Sequence, residues 1–173
     1  MTHLRETAYH EAGHAVIGRI LALPCGEATI EIDHDSSGHS VTADPWAIIS
    51  EWERRGKARG YDAAWHARIM TYMAGGEAQT ALFGSTPEGD GDDRYQIELM
   101  AEELDHWAAL EPRLRKMTRM LVQRHRARIE RVAEALLEQT TLTAEQLDEL
   151  VGRSVNDVKV NAPWLLAMAR ASS

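Results

Sequence analysis

Apolar residues recur at helical spacing along most of the chain, and the first such run extends from Thr2 to Leu23. Pro24 and Gly26 close it, because the residue before a proline avoids the helical region. His10, His14, Ile17 and Leu21 follow one another at steps of four and three. They share a face, which predicts a helix buried on its histidine-bearing side. The period then changes. Ala28 to Asp33 alternates, and His39 to Thr42 follows Ser36-Ser37-Gly38, so the two runs predict a hairpin in an antiparallel sheet of two or three strands. Asp44-Pro45 opens a short helix holding Trp46 and Trp52, followed by a polar loop, Arg54 to Gly60.

Asp62 reads as the N-cap of a helix from Ala63 to Phe83 that Gly84 closes. Inside it, Gly75-Gly76 costs roughly 1 kcal/mol per residue against alanine, and such a pair is expected to admit another backbone at close range. Ser85 to Asp93 is an acidic loop by composition. From Arg94 the pattern is helical again. Leu114, Met117, Leu121, Ile129, Val132 and Leu136 mark one face of a single long helix, Pro112 to Glu138, with Pro112 near its first turn. Thr143 with Gln146 forms a capping-box pattern for a last core helix, stapled by Leu142 and Leu147. Trp164, Leu165 and Leu166 are expected to dock the tail.

At 173 residues, with 44% apolar and 27% charged residues, the chain fits one globular domain. We expect a core over about 2–151 and a tail over 152–173. A net charge of −8 argues against nucleic acid as a partner, since phosphate binding needs an excess of Lys and Arg. The cluster of seven arginines and one lysine from Arg113 to Arg131 is interleaved with apolar positions, as the charged face of a core helix would be. No run approaches the roughly 20 apolar residues of a membrane span, and the first residues lack a signal-peptide pattern. A cytoplasmic location is the expectation. With Cys25 the sole cysteine, any bound metal must be held by nitrogen and oxygen.

His10-Glu11-Ala12-Gly13-His14 supplies them, in the pattern H-E-x-x-H. Two imidazoles one helical turn apart can ligate one Zn2+, and Glu11 can then act as general base on the metal's water for peptide hydrolysis. Such a pattern also arises by chance on surface helices, but the small neighbours Ala12, Gly13 and Ala15 favour close packing instead. The extended metzincin pattern would need Gly at position 17 and His at position 20, where the chain has Ile17 and Ile20. A catalytic zinc takes a third protein ligand and leaves the fourth position to water. Spacing leaves His34, His39, Glu77, Asp90, Asp92, Asp93 and Glu98 open for that place. His66, His106 and His125 have no partner spacing and are assigned no role, and Cys25 lacks the pattern of a thiol protease.

The segment Thr7-Ala8-Tyr9-His10-Glu11-Ala12-Gly13-His14-Ala15-Val16 resembles the zinc helix of the FtsH-type peptidase domain, the proteolytic half of membrane-bound AAA proteases. Met73-Ala74-Gly75-Gly76-Glu77-Ala78 through Leu82-Phe83-Gly84 is similar to that family's Gly-Gly helix, and Leu136-Leu137-Glu138-Gln139-Thr140-Thr141-Leu142 to its C-terminal segment. The likeness spans about Thr7 to Leu150. It implies a third ligand within Gly89-Asp90-Gly91-Asp92-Asp93, at Asp93, with Asp92 as the fallback. Glu77, Thr80 and Ala81 depart from the family's Arg and paired glutamates on the Gly-Gly helix.

No phosphate-cradling Gly-rich loop with lysine occurs in the chain. The resemblance therefore implies a peptidase standing without its ATPase, acting on flexible or unfolded polypeptides. Two further readings are a catalytically silent zinc-containing interaction module and a peptidase subunit, or homo-oligomer, served by a separate ATPase. The expected fold is α+β and mostly α-helical, with a zinc-binding helix, a small antiparallel β-hairpin and a helical bundle.

Overall fold

The computed structural model describes residues 2–31, 38–43, 45–54, 56, 61–84 and 91–152. The candidates His34 and Asp90 and the docking of Trp164 to Leu166 lie outside these residues, as does the expected acidic loop Ser85 to Asp93 up to Asp90; Gly91 to Asp93, expected as its end, are instead the first turn of a helix. Of the described residues 77% are helical, and a three-stranded antiparallel sheet completes an α+β, mostly α fold. The helices are α1 (Thr2–Ile20), α2 (Pro45–Arg54), α3 (Tyr61–Phe83), α4 (Gly91–Ala101), α5 (Trp107–Arg124), α6 (Arg126–Gln139) and α7 (Ala144–Val151). Among the described residues, no helix is long and apolar enough to cross a membrane.

The helix α1 is the centre of the molecule rather than a helix buried along one stripe. Nearly every side chain from Thr7 to Arg19 is buried, because α3 and α6 pack on it from different sides and the sheet and α7 close the rest. Gly13 is what lets α3 approach: a Cβ there would stand 2.5 Å from the Ala74 carbonyl oxygen. Val16, Ile17, Leu21 and Leu23 are almost fully buried, and each contributes roughly 1.5–3 kcal/mol. Those contributions offset the cost of holding polar groups in the same helix.

The most demanding of these is Arg19, which is 1% exposed. Its Nε donates to Asp148 Oδ1 at 2.7 Å, Nη2 donates to the carbonyls of Gly26 and Ala144, and Nη1 to that of Ala15. One guanidinium thus ties α1 to the sheet and to α7, a role that no local pattern around Arg19 announces. Arg19→Met is expected to lower unfolding free energy by about 2–4 kcal/mol, because the Ala15, Gly26 and Ala144 carbonyls and Asp148 lose the buried guanidinium that joins them. Chemical denaturation measures it, and a loss below 1 kcal/mol would show the network to be dispensable.

The sheet has the order β2-β1-β3, with β1 at Cys25–Thr29, β2 at His39–Thr42 and β3 at Thr141–Leu142. In register, Ala28 faces Ser40 on one side and Leu142 on the other. The first strand therefore begins three residues before the predicted Ala28 and ends at Thr29, where the alternating run was expected to continue to Asp33. The early start comes from pairing with β2, where Cys25 faces Thr42 and the register shifts between Cys25 and Ala28, while β3 pairs only with Ala28 and Thr29 at the strand's end. The capping box is as predicted, with the Thr143 side chain accepting from the Gln146 N–H and the Gln146 side chain accepting from that of Thr143.

Two helix predictions need correction. Asp62 lies inside the first turn of α3, which starts at Tyr61, where it complements the helix dipole instead of capping. The expected single helix Pro112 to Glu138 is two helices broken at His125, and Pro112 lies inside α5, five residues past its start at Trp107. At the break, Arg128 Nη1 donates to His125 Nδ1 at 2.8 Å. Burial and the flanking Arg128 and Arg124 charges keep that imidazole neutral, lowering it to about 4. The basic run from Arg113 does form charged helix faces, with ion pairs Arg115–Glu111, Arg119–Glu77 and Arg126–Glu130.

Candidate metal centre

Two imidazoles and one carboxylate meet where α1, α3 and α4 come together. His10 Nε2 lies 2.9 Å and His14 Nε2 3.1 Å from Asp93 Oδ2. Among the described residues these three form the one group of His, Cys, Asp or Glu side chains able to share a metal ion, with ligating atoms all within 4.8 Å of one another. Asp93 reaches the histidines from the first turn of α4. That position leaves its side chain directed at the imidazoles instead of capping the helix.

The outer ring nitrogens set how the inner ones face. His10 Nδ1 donates to Gln79 Oε1 at 3.0 Å, and His14 Nδ1 donates to the Thr71 carbonyl at 2.7 Å. Each bond fixes the ring so that its Nε2 faces Asp93, the orientation from which an imidazole that gives up its Nε2 proton can ligate a metal. Asp93 Oδ2 is buried and accepts no directed hydrogen bond despite the short distances. A buried oxygen so placed between two imidazole nitrogens fits a cation-sharing role. Both outer partners come from α3, and Thr71, Gly75 and Gln79 follow at steps of four, so they lie on one face of that helix. Gly75 stands between them for steric reasons: a Cβ there would lie 2.5 Å from His14 Nε2 and 2.7 Å from His10 Cε1. The close approach that the glycine pair was expected to give a backbone is, at Gly75, given to the two rings.

Glu11 is also buried, at 6% exposure, and its Oε2 has no hydrogen-bond partner. Burial raises its carboxyl above the usual range, against the opposing pull of His14 and His10. Burial acts downward on His14, but the Asp93 charge, aided by Glu11, lifts that imidazole to about 9. Burial also pushes the Asp93 carboxyl up, yet the neighbouring His14 more than offsets it and holds the group well below the usual carboxylate range. The cluster is thus built around positive charge, which a divalent ion would provide in place of a proton.

The remaining candidates fall elsewhere. Glu77 is turned to α5, where Arg119 Nε and Nη2 donate to its two oxygens at 3.0 and 3.2 Å. Asp92 and Glu98 are exposed, and His39 on β2 is exposed near Glu11 without joining the cluster. No protein-family model matches the chain, and the curated proteins searched include no match to it.

Sequence reasoning missed Gln79 and Thr71, although the positions one turn before and after Gly75 are where such partners had to come from. Gln79→Leu is expected to weaken metal affinity by about 10–100-fold, the usual cost of losing an outer partner of a ligating histidine. Competition with a chromophoric chelator measures it. Unchanged affinity would mean that the His10 ring is oriented by packing alone.

Proposed function

We propose that the protein is a zinc-dependent endopeptidase of the H-E-x-x-H type, related to the FtsH-type peptidase domain and acting on flexible polypeptides. The observation that carries this reading is the convergence of His10 Nε2, His14 Nε2 and Asp93 Oδ2 from two segments about eighty residues apart, beside a buried Glu11 whose Oε2 has no hydrogen-bond partner. Two nitrogens and one oxygen are a donor set of the catalytic zinc kind, three protein ligands with one position left for water. Bound there, zinc would supply Lewis acidity, polarising a peptide carbonyl and acidifying water.

The chain's own residues do the rest. His10 and His14 are held by Gln79 and Thr71, so ligation costs little reorganisation. Asp93 contributes the negative charge that balances the ion. Glu11, too basic for an ordinary carboxylate and without a partner for Oε2, is suited to take a proton from the attacking water and pass it to the leaving amine. Its burial keeps the competing bulk solvent away.

Chelation provides the first test. Stripping the metal is expected to stop cleavage of a permanently unfolded polypeptide, and one equivalent of zinc to restore it. Cleavage that survives complete metal removal would overturn the reading.

A further inference from the structure

Asp93 also lines a cavity of about 260 Å³ between α3, α4 and α5, whose charged lining is Glu77, Asp93, Arg94, Arg115 and Arg119. Three guanidiniums face two carboxylates there, and Asp93 is the residue already engaged with His10 and His14. In a chain of net charge −8 this is a local concentration of guanidinium groups. The cavity is smaller than the roughly 300–1,000 Å³ of sites for drug-sized ligands. It suits a single side chain or chain end.

Two of its guanidiniums are held by carboxylates before any ligand arrives. Glu77, only 9% exposed, accepts from Nε and Nη2 of Arg119. Those bonds use two of the five donors of a guanidinium. Arg115 leans on Glu111 of its own helix through Nη2 at 2.7 Å. Arg119 and Arg115 stay 56% and 42% exposed, so both are reachable from solvent. Planar guanidiniums pair with carboxylates through two parallel hydrogen bonds, which makes them selective for that group.

We infer that this cavity receives a carboxylate of the polypeptide being cut, either an Asp or Glu side chain beside the scissile bond or the free C-terminus. The inference rests on the peptidase reading above. Its placement follows from Asp93, which belongs both to the metal cluster and to the cavity wall. A substrate bond held at the cluster therefore has its neighbouring residue within reach of the arginines.

Two experiments separate this inference from the reading it rests on. In the first, the metal-free protein is titrated with N-acetylglutamate α-amide, N-acetylalanine and neutral N-acetylglutamine amide, followed by NMR. One or both carboxylates are expected to bind, the amide not, and Arg119→Met to weaken binding roughly tenfold. Because Arg119→Met strands the buried Glu77 carboxylate, Arg115→Met is the companion variant, with the same expected loss. Equal binding of the neutral amide, or wild-type binding by both variants, overturns the inference.

In the second, three zinc-protein substrates of one sequence are compared: an internal Glu with an amidated end, Ala with a free end, and Ala with an amidated end. A roughly tenfold advantage in kcat/KM for the first or the second, reduced towards unity in Arg115→Met, supports the inference and identifies the source of the carboxylate. Equal cleavage of all three overturns it and leaves the peptidase standing. Cleavage of none, with carboxylate binding intact, supports the anion site and retires the peptidase.

Discussion

Replacing Glu11 by glutamine is expected to lower kcat/KM on an unfolded polypeptide by about 10²–10⁴-fold, the range that a positioned general base supplies, while zinc still binds at one equivalent. The two effects separate because Glu11 is outside the group able to share an ion, which is His10, His14 and Asp93. The amide keeps the shape of the carboxylate and loses its ability to hold a proton. Glutamine also avoids burying a charge, and Glu11 Oε2 has no hydrogen bond to lose. The variant should therefore unfold at the same temperature as the parent or above it. Full activity in Glu11→Gln would remove the residue from the mechanism. Loss of the ion together with activity would make its role structural.

The second large effect concerns a residue with no chemistry. In an exposed helix, Gly→Ala stabilises by about 0.5–1 kcal/mol. At Gly75 the sign is expected to reverse, because the added methyl would lie 2.5 and 2.6 Å from Nε2 and Cε1 of His14 and 2.7 Å from Cε1 of His10. Neither ring can retreat without breaking its bond to Thr71 or Gln79, so the methyl and the metal geometry compete for the same space. Gly75→Ala should lose at least the 10–100-fold in zinc affinity that disturbing a ligand's support costs. Gly91→Ala is the control, since nothing lies within 4 Å of a Cβ at that position. Chelator competition on the two variants gives the comparison. Parent-like affinity in Gly75→Ala would show that α1 and α3 adjust freely and that the glycine is incidental.

These two positions also show how unevenly the site could be read from the chain. His10, Glu11 and His14 are close in sequence, and helical geometry alone puts the two imidazoles one turn apart. Gly75 was conspicuous as a cost in a helix, but the nature of what approaches it depends on how α1 crosses α3. Gln79 and Thr71 carry no signal of their own, since a glutamine and a backbone carbonyl become partners only when a histidine arrives. The same holds for Arg19, which sits in an apolar stretch and is accommodated by carbonyls from two other elements.

Local rules served well where the determinants were local: the capping box at Thr143, the stop of α1 before Pro24, and the mostly helical class. They failed where the local pattern is interrupted. The first strand begins earlier than alternation suggests because Cys25 pairs with Thr42 across a register shift, and the predicted long helix is divided at His125, which no breaker residue marks.

The sequence by itself determined the helical class, the two histidines with their carboxylate, and the exclusion of cysteine ligation. Spacing and composition suffice for these, because each depends on residues within a turn or two of one another or on simple counts. The choice of Asp93 among seven candidate ligands was implied by resemblance but brought about in space by packing. Tertiary structure also decided the turning of Glu77 to Arg119, the roles of Gly75, Gln79 and Arg19, and the arginine-lined cavity. All of these depend on which faces of α1, α3, α4 and α5 meet, and that is set by the close-packed core as a whole rather than by any single stretch of chain.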